Sequence, residues 1–306
     1  MTTNKPLIES EASAVTPAAG EVTPTTRPLR IAVETLIENK AALAGVIVIV
    51  AMLGFSFIGP LFYHTNQITT NLPASLHAPD GAHPLGTDNE GYDVLGRLMI
   101  AGQSSLEVGL AAAAVATIIG VFYGAVSGFG GGIVDGIMMR LVDGLLAIPT
   151  IFLLVFLFTV YQASTLLLVL VIGLVAWLVP ARLVRAETLS LRTREYVQAV
   201  RVIGGTNRRM IIRHIIPNAV GTIMVNATFQ VADAILALAS LGFLGLGVQP
   251  PATNWGAMLS TGINYVYAGD WWLIYPAGIA ILLTVMAFNA VGDGLRDVFE
   301  VRLQRR

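Results

Sequence analysis

The sequence predicts an all-α integral membrane protein with six transmembrane helices, and three observations carry that prediction. Of 306 residues, 55% are apolar and 12% charged, about half the charged fraction of an ordinary soluble domain. The apolar residues gather into runs long enough to cross about 30 Å of hydrocarbon as helices. The net charge of −1 hides a segregation in which the basic residues fall on one side of those runs. Cysteine is absent, which excludes a disulfide framework and a thiolate metal site and leaves the redox compartment open.

Residues 1–28 hold Pro6, Pro17, Pro24 and Pro28 among Thr, Ala and Glu without an aromatic residue, the composition of a disordered cytoplasmic tail. The first apolar run starts only at Ala41, after Arg27, Arg30 and Lys40, and is long enough for an anchor rather than a cleaved leader. Residues 29–101 are therefore read as the first span, 41–62, and an external loop. That loop has Arg97 as its one basic residue. Its His64, His77 and His83 lack the acidic or i, i+4 partners of a metal site and are read as solvated.

The second span, 104–128, carries Gly120, Gly124 and Gly128 on one helix face, read as packing notches and not as a phosphate loop. Gly130-Gly131-Gly132 makes the turn. Between Asp143 and Arg182 lie 38 uncharged residues, enough for two helices, 136–161 and 165–185. Arg140 and Asp143 stand one turn apart, the spacing of a local ion pair. The fifth and sixth spans are 219–247 and 273–291, with Trp271 and Trp272 at an interface. The transmembrane core is thus 102–297, with a loop at 186–217 and a cytoplasmic C-terminus at 298–306. Both termini are expected inside, since this places every basic residue except Arg97 on the inner side.

The loop is the most informative passage. From Arg182 to Arg213 it holds eight of the eighteen basic residues. Tyr196, Ala199, Val200 and Ile203 share one helical stripe, and Arg194, Gln198 and Arg201 lie largely on the other faces. Gly204-Gly205 ends that helix, and Thr206 or Asn207 can cap a second whose Ile211, Ile212, Ile215 and Ile216 form a stripe that Pro217 stops. The composition alone also fits an ordinary basic loop.

The residue order adds a resemblance. Gln198-Ala199-Val200, Gly204 and Ile216-Pro217 resemble the coupling loop of ABC-importer permeases, whose pattern is Glu-Ala-Ala, Gly and an apolar-Pro pair at these spacings. Here Gln replaces the Glu and Val the second Ala. HPLGTDNEGYDVLGRLMIAG (His83 to Gly102), MRLVDGLLAIPT (Met139 to Thr150) and LASLGFLGLGVQPPATNWGAML (Leu238 to Leu259) resemble dipeptide and oligopeptide importer permeases. The likeness covers about residues 30–300.

What the resemblance implies is a type I ABC importer permease fold with cytoplasmic coupling helices, in a bacterial inner membrane. It implies a second homologous permease subunit, two cytoplasmic ABC ATPases on the coupling loops, and an extracytoplasmic substrate-binding protein. ATP and Mg would sit on the ATPases, with no cofactor on this chain, lipid around it and no nucleic-acid partner. Tyr196, Gln198, Ala199, Val200, Ile203, Gly204, Gly205, Arg208, Ile211 and Pro217 are the expected coupling residues, with Ile203 and Ile211 as buried knobs and the arginines as a rim. Peptides are the expected substrates; permeases of this type also carry nickel chelates, glutathione, haem or oligosaccharides.

Other classes fit less well. The lysines are Lys5 and Lys40, each preceded by Asn, so no Gly-Lys-Ser/Thr phosphate loop exists and the chain is not the motor. A secondary transporter would place several ionisable groups at mid-membrane, and the one expected there is Asp233. No nucleophile and base share a span with plausible spacing, so an intramembrane enzyme is not indicated. For Asp233 two readings stay open: a pathway group meeting a cationic part of the substrate, or a structural acid bonded to Asn226, Gln230 or the partner permease.

Overall fold

The computed structural model describes residues 39–304; the tail at 1–28 and the last two arginines lie outside the described residues. Helices make up the described chain, with one isolated bridge between Thr87 and Asp93. Helix α1 (Lys40–Phe62) is capped by the Asn39 side chain, which accepts from the Ala41 and Ala42 amides. Then follow α2 (Val94–Gly130), α3 (Gly132–Leu146), α4 (Thr150–Val160), α5 (Thr165–Ala176), α6 (Leu178–Leu191) and α7 (Glu195–Val202). Helix α8 (Asn207–Met210) continues through a π-helical turn, Ile211–Ile215, and Ile216–Asn218. The chain closes with α9 (Val220–Phe243), α10 (Trp255–Ile263) and α11 (Tyr275–Gln304).

Four helices span without interruption, and the third and fourth spans are bent pairs: α3 and α4 meet at 74°, α5 and α6 at 42°. Pro149 has no N–H and forces Ile148 away from helical geometry, which breaks the third span where a continuous helix was expected. In the fourth, Pro180 cannot donate to the carbonyl of Ala176 four residues earlier. The Gln230 side chain of α9 supplies the missing donor, Nε2 to Ala176 O at 2.8 Å. The second span begins ten residues before the sequence reading put it, because Asp93 caps the Gly96 amide at 2.8 Å and starts the helix inside the polar loop.

Helix α2 is the centre of the bundle. A Cβ on Gly120 would lie 2.5 Å from Pro180 Cβ, and one on Gly128 2.7 Å from the Arg185 carbonyl, so the α2 glycines are the notches into which α6 fits. On another side Gly109 faces Ile235 of α9, and Gly45 of α1 sits against the Ala287 carbonyl of α11. At the end opposite the arginine-rich loop, Trp255 Nε1 donates to Leu98 O at 3.1 Å and Trp272 Nε1 to Thr87 O at 3.2 Å. His83 is not simply solvated there: its Nδ1 lies 2.9 Å from Asp93 Oδ2. Tyr63 donates to the same oxygen at 2.9 Å, and burial together with that carboxylate pushes its hydroxyl up to about 12.

At the basic end, α3 is clasped to α6 by ion pairs. Arg185 Nε and Nη2 donate to the two oxygens of the buried Asp135 at 2.5 and 2.6 Å, and Ser127 of α2 donates to Oδ1 at 2.6 Å. Asp143 pairs with Arg182 of α6 and not with Arg140 one turn before it. The pair joins residues 39 positions apart on two different helices, which a local spacing rule does not foresee.

Candidate functional site

The arginine-rich loop folds as a helix, a tight turn and a second helix held against the bundle by its own apolar face. Val197 is fully buried in a cluster with Phe129, Leu191, Met210 and Ile215, and Val200 packs at its edge. Arg201 lies over the Phe129 ring, 5.6 Å from its centroid. Gln198 turns back and donates from Nε2 to Arg192 O at 2.9 Å, bracing the start of α7. Thr206 caps α8 by accepting from the Arg209 amide at 3.3 Å. Pro217 does not stop α8; the run continues to Asn218, and the break comes at Ala219.

This arrangement divides the loop residues into two groups. Tyr196, Ala199 and Ile203 point outward together with Val202, which the sequence reading passed over; Val202 is 86% and Ile203 82% exposed. Val200 and Ile211 face the chain's own core, with Ile211 packed between two core clusters. Ile211 is therefore not a free knob as the sequence suggested. The spacing i, i+3, i+4, i+7 fitted either face of a helix this short, and only Val197, set beside Val200 and Met210, marks the inner one. Arg208, Arg209 and Arg213 stand exposed around Thr206.

The two glycines have different duties. Gly204 has φ +82° with open space around it, so a side chain there meets backbone strain and no clash. A Cβ on Gly205 would lie 2.5 Å from Val200 Cγ1 and 2.7 Å from the Val200 carbonyl. Gly204→Ala is accordingly expected to cost about 1 kcal/mol, the usual penalty for a left-handed residue. Gly205→Ala should cost about 1–3 kcal/mol by forcing the turn open. Thermal unfolding of the two purified variants checks the order; a more damaging Gly204→Ala would contradict it.

Asp233 lies ten residues from the far end of α9 with its side chain exposed. Among the described residues no hydrogen bond or ion pair engages its carboxylate. Gln230 is committed to Ala176, and Asn226 Oδ1 is buried without a partner, so neither holds Asp233. A second acid on a spanning helix is Glu107, exposed in the fourth turn of α2.

Residues 94–305 match the family described as binding-protein-dependent transport system inner membrane component, and residues 27–79 the N-terminal TM domain of oligopeptide transport permease C. The chain belongs to this permease family. The permease is 40% identical over 264 residues to the oligopeptide transport system permease protein OppC of Haemophilus influenzae, covering 86% of this chain and 85% of that one. It is 38% identical over 267 residues to OppC of Bacillus subtilis, with 87% of each covered. With the dipeptide transport system permease protein DppC of Alkalihalophilus pseudofirmus it shares 35% over 277 residues, 90% of this chain and 91% of that one. The permease is thus a multi-pass inner-membrane transport component that works within an ABC transporter complex, the basis for reading its loop as more than a basic surface.

Proposed function

We propose that the permease forms half of the translocation route of an ATP-driven peptide importer. It pairs with a second, homologous permease, its α7–α8 loop seats one of two ATPase subunits that carry ATP and Mg, and a substrate-binding protein docks on the opposite face. Both termini are then cytoplasmic. The observation that carries this reading is the pair Val202 and Ile203, the most exposed apolar residues at the apex of a loop that Val197, Val200, Met210 and Ile215 fix against the bundle. A rigid apolar projection ringed by arginines fits a partner's cleft. The names of the relatives favour peptides as cargo.

The test is ATP-dependent uptake of tri-alanine by proteoliposomes holding the permease pair and ATPases, with the binding protein added. Uptake that needs neither ATPase nor binding protein would sink the reading in favour of a secondary transporter. A reporter fused after Arg306 should be active only on the cytoplasmic side. Single Arg208→Ala or Arg209→Ala changes should weaken ATPase retention by about 0–1 kcal/mol each, because exposed pairs are well screened. Co-purification at two salt concentrations measures this, and complete loss of the ATPases from either change would contradict the rim assignment.

A further inference from the structure

Helix α9 carries a polar stripe that is exposed at Asp233 and Ser240 and half-buried at Thr222 and Asn226, beside α6 and α11. At 100° per residue, Thr222, Asn226, Asp233 and Ser240 fall within about 40° of one another. Opposite them, Val231 and Ile235 pack on Gly109 of α2; Asp233 is two residues from each, a rotation of about 200°, and so points away from α2. Toward the basic end the same face lines a cavity of about 460 Å³ with Thr222, Asn226 and Phe229, closed on the far side by Arg296 and Phe299 of α11, and Asn226 Oδ1 has no partner there. By contrast, every exposed residue of α1 from Ala41 to Phe62 is apolar, as a lipid-facing surface requires. A carboxylate at the depth of Asp233 would cost about 2.5 kcal/mol or more against lipid. Glu107, two residues before Gly109 on α2, points away from α9 by the same rotation and cannot supply or share a partner with it.

We propose that this stripe lines the substrate's route and that the Asp233 carboxylate receives protonated amino groups of the passing peptide, making Asp233 a specificity-determining residue. The assignment rests on the peptide-permease reading and adds to it a preference for cationic cargo. Charge complementarity selects the occupant: among the described residues no cation pairs with the Asp233 carboxylate, and the cation that lines the cavity beyond it, Arg296, already makes an interaction of its own. A single contact with the second permease would leave Thr222, Asn226 and Ser240 without purpose. Together they offer a hydrated path along an otherwise apolar helix.

The experiment uses the whole transporter in proteoliposomes, with Ala-Lys-Ala, Ala-Ala-Ala and Ala-Glu-Ala each saturating the binding protein. In Asp233→Asn the uptake ratio of Ala-Lys-Ala to Ala-Glu-Ala should fall about tenfold, the effect of losing one charge-assisted hydrogen bond. Asp233→Glu should keep the ratio. A ratio unchanged in Asp233→Asn overturns the proposal, and a wild-type complex that takes up none of the three peptides overturns the peptide reading beneath it. Because the chain has no cysteine, Asp233→Cys adds a direct readout. Modification by a cationic, water-soluble thiosulfonate, slowed by Ala-Lys-Ala, supports the route. A thiol unreactive in every nucleotide state, or reactive only toward a lipid-soluble maleimide, overturns it.

Discussion

Aspartate at both Val202 and Ile203 is expected to release the ATPase subunits while leaving the permease folded. Each side chain is more than four-fifths exposed in the isolated chain, so replacing it removes nothing from the permease's own core. Burying an apolar side chain of this size in a partner contributes about 1.5–3 kcal/mol. Losing two, and adding two desolvated charges, should weaken ATPase binding by 100-fold or more on that scale. ATPase co-purified per permease, beside the permease's own unfolding temperature, reads both effects. Retention at the wild-type level would show that the apex is not the docking point. Ile211→Ala is the contrast: since Ile211 packs inward, it should lower the unfolding temperature and leave ATPase affinity per folded molecule unchanged.

Asp135→Leu should be the most destabilising single change at the basic end. The carboxylate is buried and fully employed by Arg185 and Ser127, and its loss strands a guanidinium between α3 and α6. Removing one partner of a buried pair costs about 3–5 kcal/mol. Arg185 keeps about a third of its side chain exposed, so the lower end of that range applies. Asp135→Leu with Arg185→Leu should recover most of the loss, because no unpaired charge remains. Unfolding temperatures of the two single variants and the double variant in detergent settle it; a double variant as unstable as Asp135→Leu alone would mean that packing, and not charge, holds the clasp.

Composition and charge segregation were enough to find six spans, since apolar length and arginine placement act through the membrane and need no tertiary detail. The helix–turn–helix of the loop was equally legible from Gly204-Gly205 and Thr206. Features that depend on a partner far along the chain were not. The clasp from Asp143 to Arg182 joins helices far apart in sequence, and the spacing of Arg140 and Asp143 pointed instead to a local pair. Gln230 looked like a companion for Asp233, but Pro180 leaves a carbonyl that only a residue from another helix can satisfy. The inward and outward faces of α7 could not be told apart in eight residues, since both faces of that helix are apolar until the bundle covers one.

On the proposed reading, the junction between α8 and α9 would make the loop and the polar stripe parts of one lever. Only Ala219 interrupts the helical run from Asn207 to Phe243, and Asp233 lies fourteen residues beyond it, about 21 Å along the axis. If the loop is rocked by its partner and α9 turns about Ala219 by roughly 10°, the carboxylate sweeps about 4 Å at that radius, farther than a charge-assisted hydrogen bond is long. A peptide amine held in one position of the lever would be let go in the other, so that grip and release follow from rotation alone.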